Sequence, residues 1–111
     1  MRPPDAEIRN FIQKIRIAIQ HQNFDILAHR RKYMDTIAAL GIIEEDVIDD
    51  ISHLNEHDYW FKTQDNNPIY PGDVWICKKF LHNSNIYIKL KIKIDENGKL
   101  LIISYHFDGM Q

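Results

Sequence analysis

His106 stands near the end of a 111-residue chain, two positions after Ser104 and downstream of an alternating run that carries Tyr87, Lys89 and Lys91. These residue types match what metal-free cleavage of an RNA phosphodiester requires. A base must take the proton of the 2′-hydroxyl, an acid must protonate the departing 5′-oxygen, and cations must hold the phosphate as charge builds. Histidine titrates near neutrality and serves either proton transfer. Lysine supplies a phosphate clamp, and a phenol donates a hydrogen bond or a proton. On composition alone the bland explanation is the stronger, because lysines on the solvent face of an antiparallel sheet are ordinary.

The elements that must position these groups are two strands. From Ile86 to Lys93 the residues alternate, with Ile86, Ile88, Leu90 and Ile92 on one side and Tyr87, Lys89, Lys91 and Lys93 on the other, and Ile94 continues the apolar series. Successive side chains of a strand point to opposite faces, so this strand has an apolar wall and a cationic row. Asn97-Gly98 suits a two-residue type I′ hairpin turn, followed by Leu100 to Phe107. That turn predicts a register in which Ile94 faces Leu101, Ile92 faces Ile103, Leu90 faces Tyr105 and Ile88 faces Phe107. On the other face it sets Lys91 against Ser104 and Lys89 against His106, with Tyr87 diagonal to His106.

Bulk properties set the frame. The length and 44% apolar content suit one domain, residues 1–111, with one ordinary core. No apolar run approaches the roughly 18 residues of a membrane span, and no signal-peptide pattern opens the chain. A single cysteine, Cys77, excludes an internal disulfide, so a cytosolic, reduced protein is expected. The net charge of −2 conceals segregation: residues 1–33 carry seven Lys/Arg and three Asp/Glu, residues 34–58 eight acids and no Lys or Arg, and residues 59–111 seven bases and five acids. Two basic segments around an acidic one argue against indiscriminate nucleic-acid binding and permit a local cationic cleft.

In chain order, Asp5 is a reasonable N-cap. Ile8, Phe11, Ile12, Ile15 and Ile19 recur at helical spacing to about His21. Phe24 to Leu27 reads equally as a short strand or an extended connector. A second helix is expected from about Arg30 to Leu40, with Gly41 ending it. A third opens on Glu44-Glu45-Asp46 and buries Val47, Ile48, Ile51 and Leu54. Asn55 to Gly72, punctuated by Asn66-Asn67-Pro68 and Pro71-Gly72, reads as loop around Tyr59-Trp60-Phe61. Val74 to Leu81 reads as a strand whose core-facing side the pattern leaves open, and His82 to Asn85 as a hairpin loop. The expected fold is α+β, about three helices packed on one face of a three- to four-stranded antiparallel sheet.

Other candidates have bland readings beside them. His53 and His57 have the spacing of two ligands on one helical face, but no glutamate follows His53 and exposed surface histidines are the simpler reading; no metal site is assigned. Cys77 lacks a nucleophile's surroundings. The acidic run from Glu44 to Asp50 reads as a solvated helix face or as a docking surface for a basic partner. Arg30-Arg31-Lys32 is either a helix's polar face or an extension of a phosphate-binding surface. Tyr59, Trp60 and Phe61 can stack bases or simply pack beside a sheet.

Taken together, Arg30-Arg31-Lys32, Leu40-Gly41, Glu45-Asp46-Val47, Leu54, Asp58-Tyr59, Gly72-Asp73-Val74-Trp75, Ile86-Tyr87-Ile88-Lys89-Leu90 and Ile103-Ser104-Tyr105-His106 follow an order and spacing that resembles the MqsR family of toxins from bacterial type II toxin–antitoxin systems, which share the RelE-like fold of mRNA interferases. The resemblance covers roughly residues 8–107. It implies a cytoplasmic, metal-independent endoribonuclease with no cofactor, an mRNA substrate and a cognate antitoxin, and leaves dependence on the ribosome open. By position it implies Tyr87, His106 and Lys62 as catalytic groups, although one residue more separates Lys62 from the Asp-aromatic motif than in the family. Lys89, Lys91, Lys78, Arg30 and Arg31 are the expected RNA or phosphate contacts. The family's glutamine after the strand tryptophan is replaced by Ile76, with Lys78 the nearest polar residue. A non-catalytic RNA- or protein-binding module, such as an inactive relative, is the alternative.

Overall fold

The computed structural model describes residues 2–64, 72–93 and 96–111. Three helices and five strands follow in the order α1 (Asp5–Gln20), β1 (Phe24–Ile26), α2 (Arg31–Leu40), α3 (Glu44–Ser52), β2 (Tyr59–Gln64), β3 (Asp73–Leu81), β4 (Ser84–Lys93) and β5 (Lys99–Phe107), with a short 3₁₀ turn at Glu56–Asp58. The sheet order is β1-β5-β4-β3-β2; β1 runs parallel to β5 and every other pairing is antiparallel. The α+β class is as expected. The sheet, however, is five-stranded and mixed rather than three- to four-stranded and antiparallel. The two additions are Phe24–Ile26, too short to show periodicity, and Tyr59–Gln64, whose aromatic cluster a bulge breaks out of strict alternation.

Helix α1 buries Ile8, Phe11, Ile12, Ile15 and Ala18, and α3 buries Val47 and Ile51, all against one sheet face. That face presents Trp75 and Cys77 of β3, Ile86, Ile88 and Leu90 of β4, and Leu100, Ile102 and Tyr105 of β5. Phe11 stacks on Trp75 at 4.1 Å between ring centroids. The side of β3 that the alternation left open is therefore settled, with Trp75 and Cys77 toward the helices. Helix α2 ends at Gly41, whose φ of +68° is the left-handed conformation that glycine adopts without penalty. It lies along the part of β5 that β1 does not cover, and the Phe107 N–H donates to Thr36 Oγ1 at 3.2 Å. A side-chain hydroxyl thus satisfies a strand edge that would otherwise be open. Among the described residues no helix is long and apolar enough to cross a membrane.

The hairpin register differs from the expected one. Asn97 and Gly98 do adopt positive φ, 57° and 76°, but Gly98 N–H bonds to the Lys93 carbonyl at 3.1 Å and Lys93 pairs with Lys99, so the loop is longer than two residues. Leu90 pairs with Ile102 rather than Tyr105, Ile92 with Leu100 rather than Ile103, and Lys91 with Leu101 rather than Ser104. A bulge at Ile103 then resets the strands. Beyond it Lys89 faces Ser104, Ile88 faces Tyr105 rather than Phe107, and Tyr87 rather than Lys89 faces His106. Below the bulge the offset is odd and moves Leu101 to the opposite face. Above it the offset is even and leaves Ser104 and His106 on the side of the lysines. The two-residue turn is instead His82-Asn83, both with positive φ (51° and 64°), joining Leu81 to Ser84. The expected positions of Ile94 and of the Asn66-Asn67-Pro68 and Pro71 turns lie outside the described residues.

Candidate functional site

The second sheet face, opposite α1 and α3, is arranged in rows across the strands. One row is Lys78–Tyr87–His106, the next Ile76–Lys89–Ser104, and beyond them Lys91 faces Leu101. Tyr87 and His106 lie parallel, with ring centroids 5.0 Å apart and planes 14° apart. The bulge at Ile103 aligns them, since it shifts His106 into direct opposition to Tyr87; bulges often re-aim side chains in this way beside functional sites.

His106 is only 5% exposed. Its Nδ1 lies 2.9 Å from the Phe107 carbonyl oxygen. A carbonyl only accepts, so Nδ1 carries a hydrogen, and whenever the ring is unprotonated the lone pair stands at Nε2. Nε2 has no hydrogen-bond partner among the described residues, and since no fully buried side-chain nitrogen or oxygen there is left unsatisfied, it is not fully enclosed. His106 also lines a cavity of about 280 Å³, together with Ser104, Tyr33, Tyr105 and, from the first turn of α2 and the residue before it, Arg30, Arg31 and Lys32. The fold therefore brings the basic run of residues 30–32, distant in sequence, to the histidine.

Tyr87 is half-buried, and its phenol is pushed above the ordinary range, first by burial and then by the Asp108 carboxylate. It holds its proton at neutral pH, which suits a donor. Lys78 forms an ion pair with Asp108 Oδ1 at 3.2 Å and places its ammonium 3.4 Å from the centre of the Trp60 ring. Asp108 is held low by Gln111 and Lys78 despite some burial. Lys89 is half-buried and has no ionic partner among the described residues.

One expected catalytic group, Lys62, and one expected RNA contact, Lys91, are not available in this cluster. Lys62 pairs with Trp75, so it points to the helix side, where Nζ lies 2.8 Å from Glu7 Oε1 and 3.4 Å from Asp73 Oδ2. These carboxylates raise its pKa, the Glu7 hydrogen bond most. The physical reason is a bulge in β2: Tyr59 faces Cys77, Trp60 is the extra residue, and Phe61 faces Ile76. The additional residue in Tyr59-Trp60-Phe61 leaves Tyr59 in the core and puts Trp60 and Phe61 on the site's face with the lysine behind it. Lys91 shares the face of Tyr87 and Lys89 but is 1% exposed, so it is no surface contact for RNA. A Cβ at Gly72 would meet its stem at 3.8 Å.

Other sequence candidates have structural roles. Asp50, expected on a solvated face, is buried; Oδ2 accepts from Tyr105 Oη at 2.7 Å and from His82 Nε2 at 2.8 Å. Asp46 accepts from the Ile43 N–H at 2.9 Å and starts α3. His53 ends α3, its Nδ1 2.7 Å from the Asp49 carbonyl oxygen. Cys77 is buried and its thiol is pushed up to about 12, chiefly by desolvation. Among the described residues no three His, Cys, Asp or Glu side chains are grouped to hold a metal. A larger cavity, about 650 Å³, lies beside Lys14, His21, Asn23 and Asn97; it gathers no comparable acid–base pair. Sequence reasoning missed Asp108 and gave Trp60 only a general stacking role. The signal for both was local, an acid two residues after the histidine and a tryptophan at an inserted position.

No family model, curated protein or solved structure matches the chain.

Proposed function

We propose that the protein is a metal-independent endoribonuclease that acts on mRNA in the bacterial cytoplasm as the toxin of a type II toxin–antitoxin pair. The observation that carries the catalytic part is the Tyr87–His106 stack, with a free imidazole Nε2 on one ring and a protonated phenol on the other, between Lys78 and a basic cavity. The toxin, antitoxin and RelE-like assignments rest on the sequence resemblance to the MqsR family.

In this reading His106 Nε2 takes the proton of the 2′-hydroxyl as its oxygen forms a bond to phosphorus. The bond to the 5′-oxygen breaks, and Tyr87 Oη supplies the proton to that leaving group. Lys89 and Lys78 balance the charge on the non-bridging oxygens, Lys78 exchanging Asp108 for phosphate, and Arg30 and Arg31 hold a neighbouring phosphate. Lys62 has no part in the chemistry. The products carry a 2′,3′-cyclic phosphate and a 5′-hydroxyl. Induced expression followed by mapping of RNA 5′ ends, and by end-group analysis of RNA cut in EDTA, tests this. A 5′-phosphate product, or cleavage lost in EDTA, contradicts it.

The burial of His106 favours one other reading, a non-catalytic RNA-binding module in which the imidazole merely packs on Tyr87. It predicts salt-sensitive RNA binding without cleavage products.

A further inference from the structure

Residues 78 and 80 of β3 share a face, so Phe80 stands on the side of Lys78 and Tyr87. The bulge in β2 brings Trp60 to that side next to Phe61. Three aromatic side chains are consequently exposed on one flank of the candidate site: Trp60 by 50%, Phe61 by 37% and Phe80 by 64%. Single surface hydrophobics need no explanation. Here, however, Phe61 meets the indole edge-on at 4.5 Å, and the Lys78 ammonium covers part of it at 3.4 Å. The same lysine belongs to the row of Tyr87 and His106, so the aromatic group abuts the proposed reaction centre.

We propose that Trp60, with Phe61 against it and Phe80 on the same sheet face, is a stacking platform for unpaired bases adjoining the phosphate held at Lys78. Every nucleobase has a π-face, and stacking on solvent-exposed aromatic rings needs no particular base edge. Charge decides for RNA over a protein occupant. Lysine is depleted at the centre of protein–protein interfaces, whereas this surface has Lys78 among its aromatics and Lys89 farther along the same face, with Arg30, Arg31 and Lys32 at the cavity that His106 lines. The platform rests on the RNA-cleaving reading for the identity of the polymer and not on catalysis. A base-paired strand hides its base faces and is refused.

The test is binding of an eight-nucleotide, uniformly 2′-O-methylated oligonucleotide, which lacks the attacking hydroxyl, followed by tryptophan fluorescence. Trp75 is buried against Phe11, so the responsive signal belongs to Trp60. The single strand quenches it; the same strand annealed to its complement, and an abasic strand of equal charge, bind weakly. Read by fluorescence polarisation of a labelled strand, since these variants lack the reporting indole, Trp60→Ala weakens single-strand binding about 5- to 100-fold, and Trp60→Phe restores most of it. Phe80→Ala, followed by fluorescence polarisation of a labelled strand, gives a smaller loss in a chain whose Trp60 is intact, should Trp60→Ala fold poorly by circular dichroism. Equal affinity for abasic and base-bearing strands, or unaltered affinity in Trp60→Ala, overturns the platform, as does an indole that responds to a protein partner and not to RNA. Base-dependent quenching by a chain that never cuts ordinary RNA would keep the platform and reject catalysis; cleavage with unaltered affinity in Trp60→Ala would do the reverse.

Discussion

Tyr87 and His106 face each other across β4 and β5 with their rings parallel, 5.0 Å between centroids and 14° between planes. The tyrosine therefore has two separable contributions, a surface that holds the imidazole and a hydroxyl that can donate. Tyr87→Phe keeps the first and loses the second. Single-turnover cleavage should fall about 10²-fold or more in Tyr87→Phe, with RNA affinity unchanged. Tyr87→Ala should also widen the His106 ring resonances in NMR. Equal rates for the intact chain and Tyr87→Phe would remove the phenol from the chemistry.

Asp108 acts on both the phenol and Lys78. Burial and the Asp108 carboxylate raise the Tyr87 pKa, so the proton-donating form persists above the ordinary phenol range, and the alkaline limb of cleavage lies beyond it. Asp108→Asn removes the electrostatic part of that shift and moves the limb toward lower pH. It also releases Lys78 from its ion pair, so RNA binds more tightly and with a steeper salt dependence. Both are read from one set of pH-rate profiles and titrations at several salt concentrations. An unmoved limb and an unchanged salt slope would show that Asp108 does not bear on the site.

Lys62 and Lys78 separate position in sequence from position in space. Lys62 is held by Glu7 and Asp73 on the helix side, while Lys78 stands in the row of Tyr87 and His106. Lys62→Ala should leave cleavage intact and cost at most about 1 kcal/mol of stability, as expected for partly exposed ion pairs. Lys78→Ala should weaken RNA binding and slow cleavage. Denaturant titration and kinetics on the two variants decide it, and a dead Lys62→Ala that remains folded would overturn the assignment.

Much of the fold was readable because its signals are periodic. Ile8 to Ile19 and Val47 to Leu54 repeat at helical spacing, Gly41 supplies a left-handed stop, and Ile86 to Ile92 alternate with Tyr87 to Lys93. What was not readable breaks period or acts across distance. The bulges at Trp60 and Ile103 each add one residue, and one residue is enough to send Lys62 behind the sheet and Leu101 to the other face. The Asn97-Gly98 dihedrals were legible, but turn closure depended on how far the loop extended. The even offset above the second bulge is why Ser104 and His106 still reach the expected side. Asp50 belonged to an acidic run by sequence, and only the approach of Tyr105 and His82 makes it a buried acceptor.

Cys77 gives the fold its own pH signature. Its thiol is buried on the helix side and pushed from 9.0 up to about 12, so the folded chain keeps a proton that the unfolded chain gives up. A raised pKa of this kind contributes stability that is fully present below pH 9 and is lost as pH rises toward 12. Stability measured by urea titration should decline over that window, by a few kcal/mol at most at roughly 1.4 kcal/mol per pH unit. Cys77→Ala, though less stable at neutral pH through the cavity it leaves, should show a shallower decline. Parallel declines in the two proteins would place the alkaline sensitivity elsewhere.

In the proposed reaction His106 transfers a proton during RNA cleavage. The direct measurement is single-turnover cleavage of a defined single-stranded RNA in EDTA by the intact chain, His106→Ala and His106→Gln, with RNA affinity and folding measured alongside. A loss of about 10²–10⁴-fold is expected in both variants, with binding of the uncleavable 2′-O-methylated strand and the circular dichroism spectrum retained. Cleavage at the intact rate by either folded variant, or no cleavage by the intact chain, would contradict it.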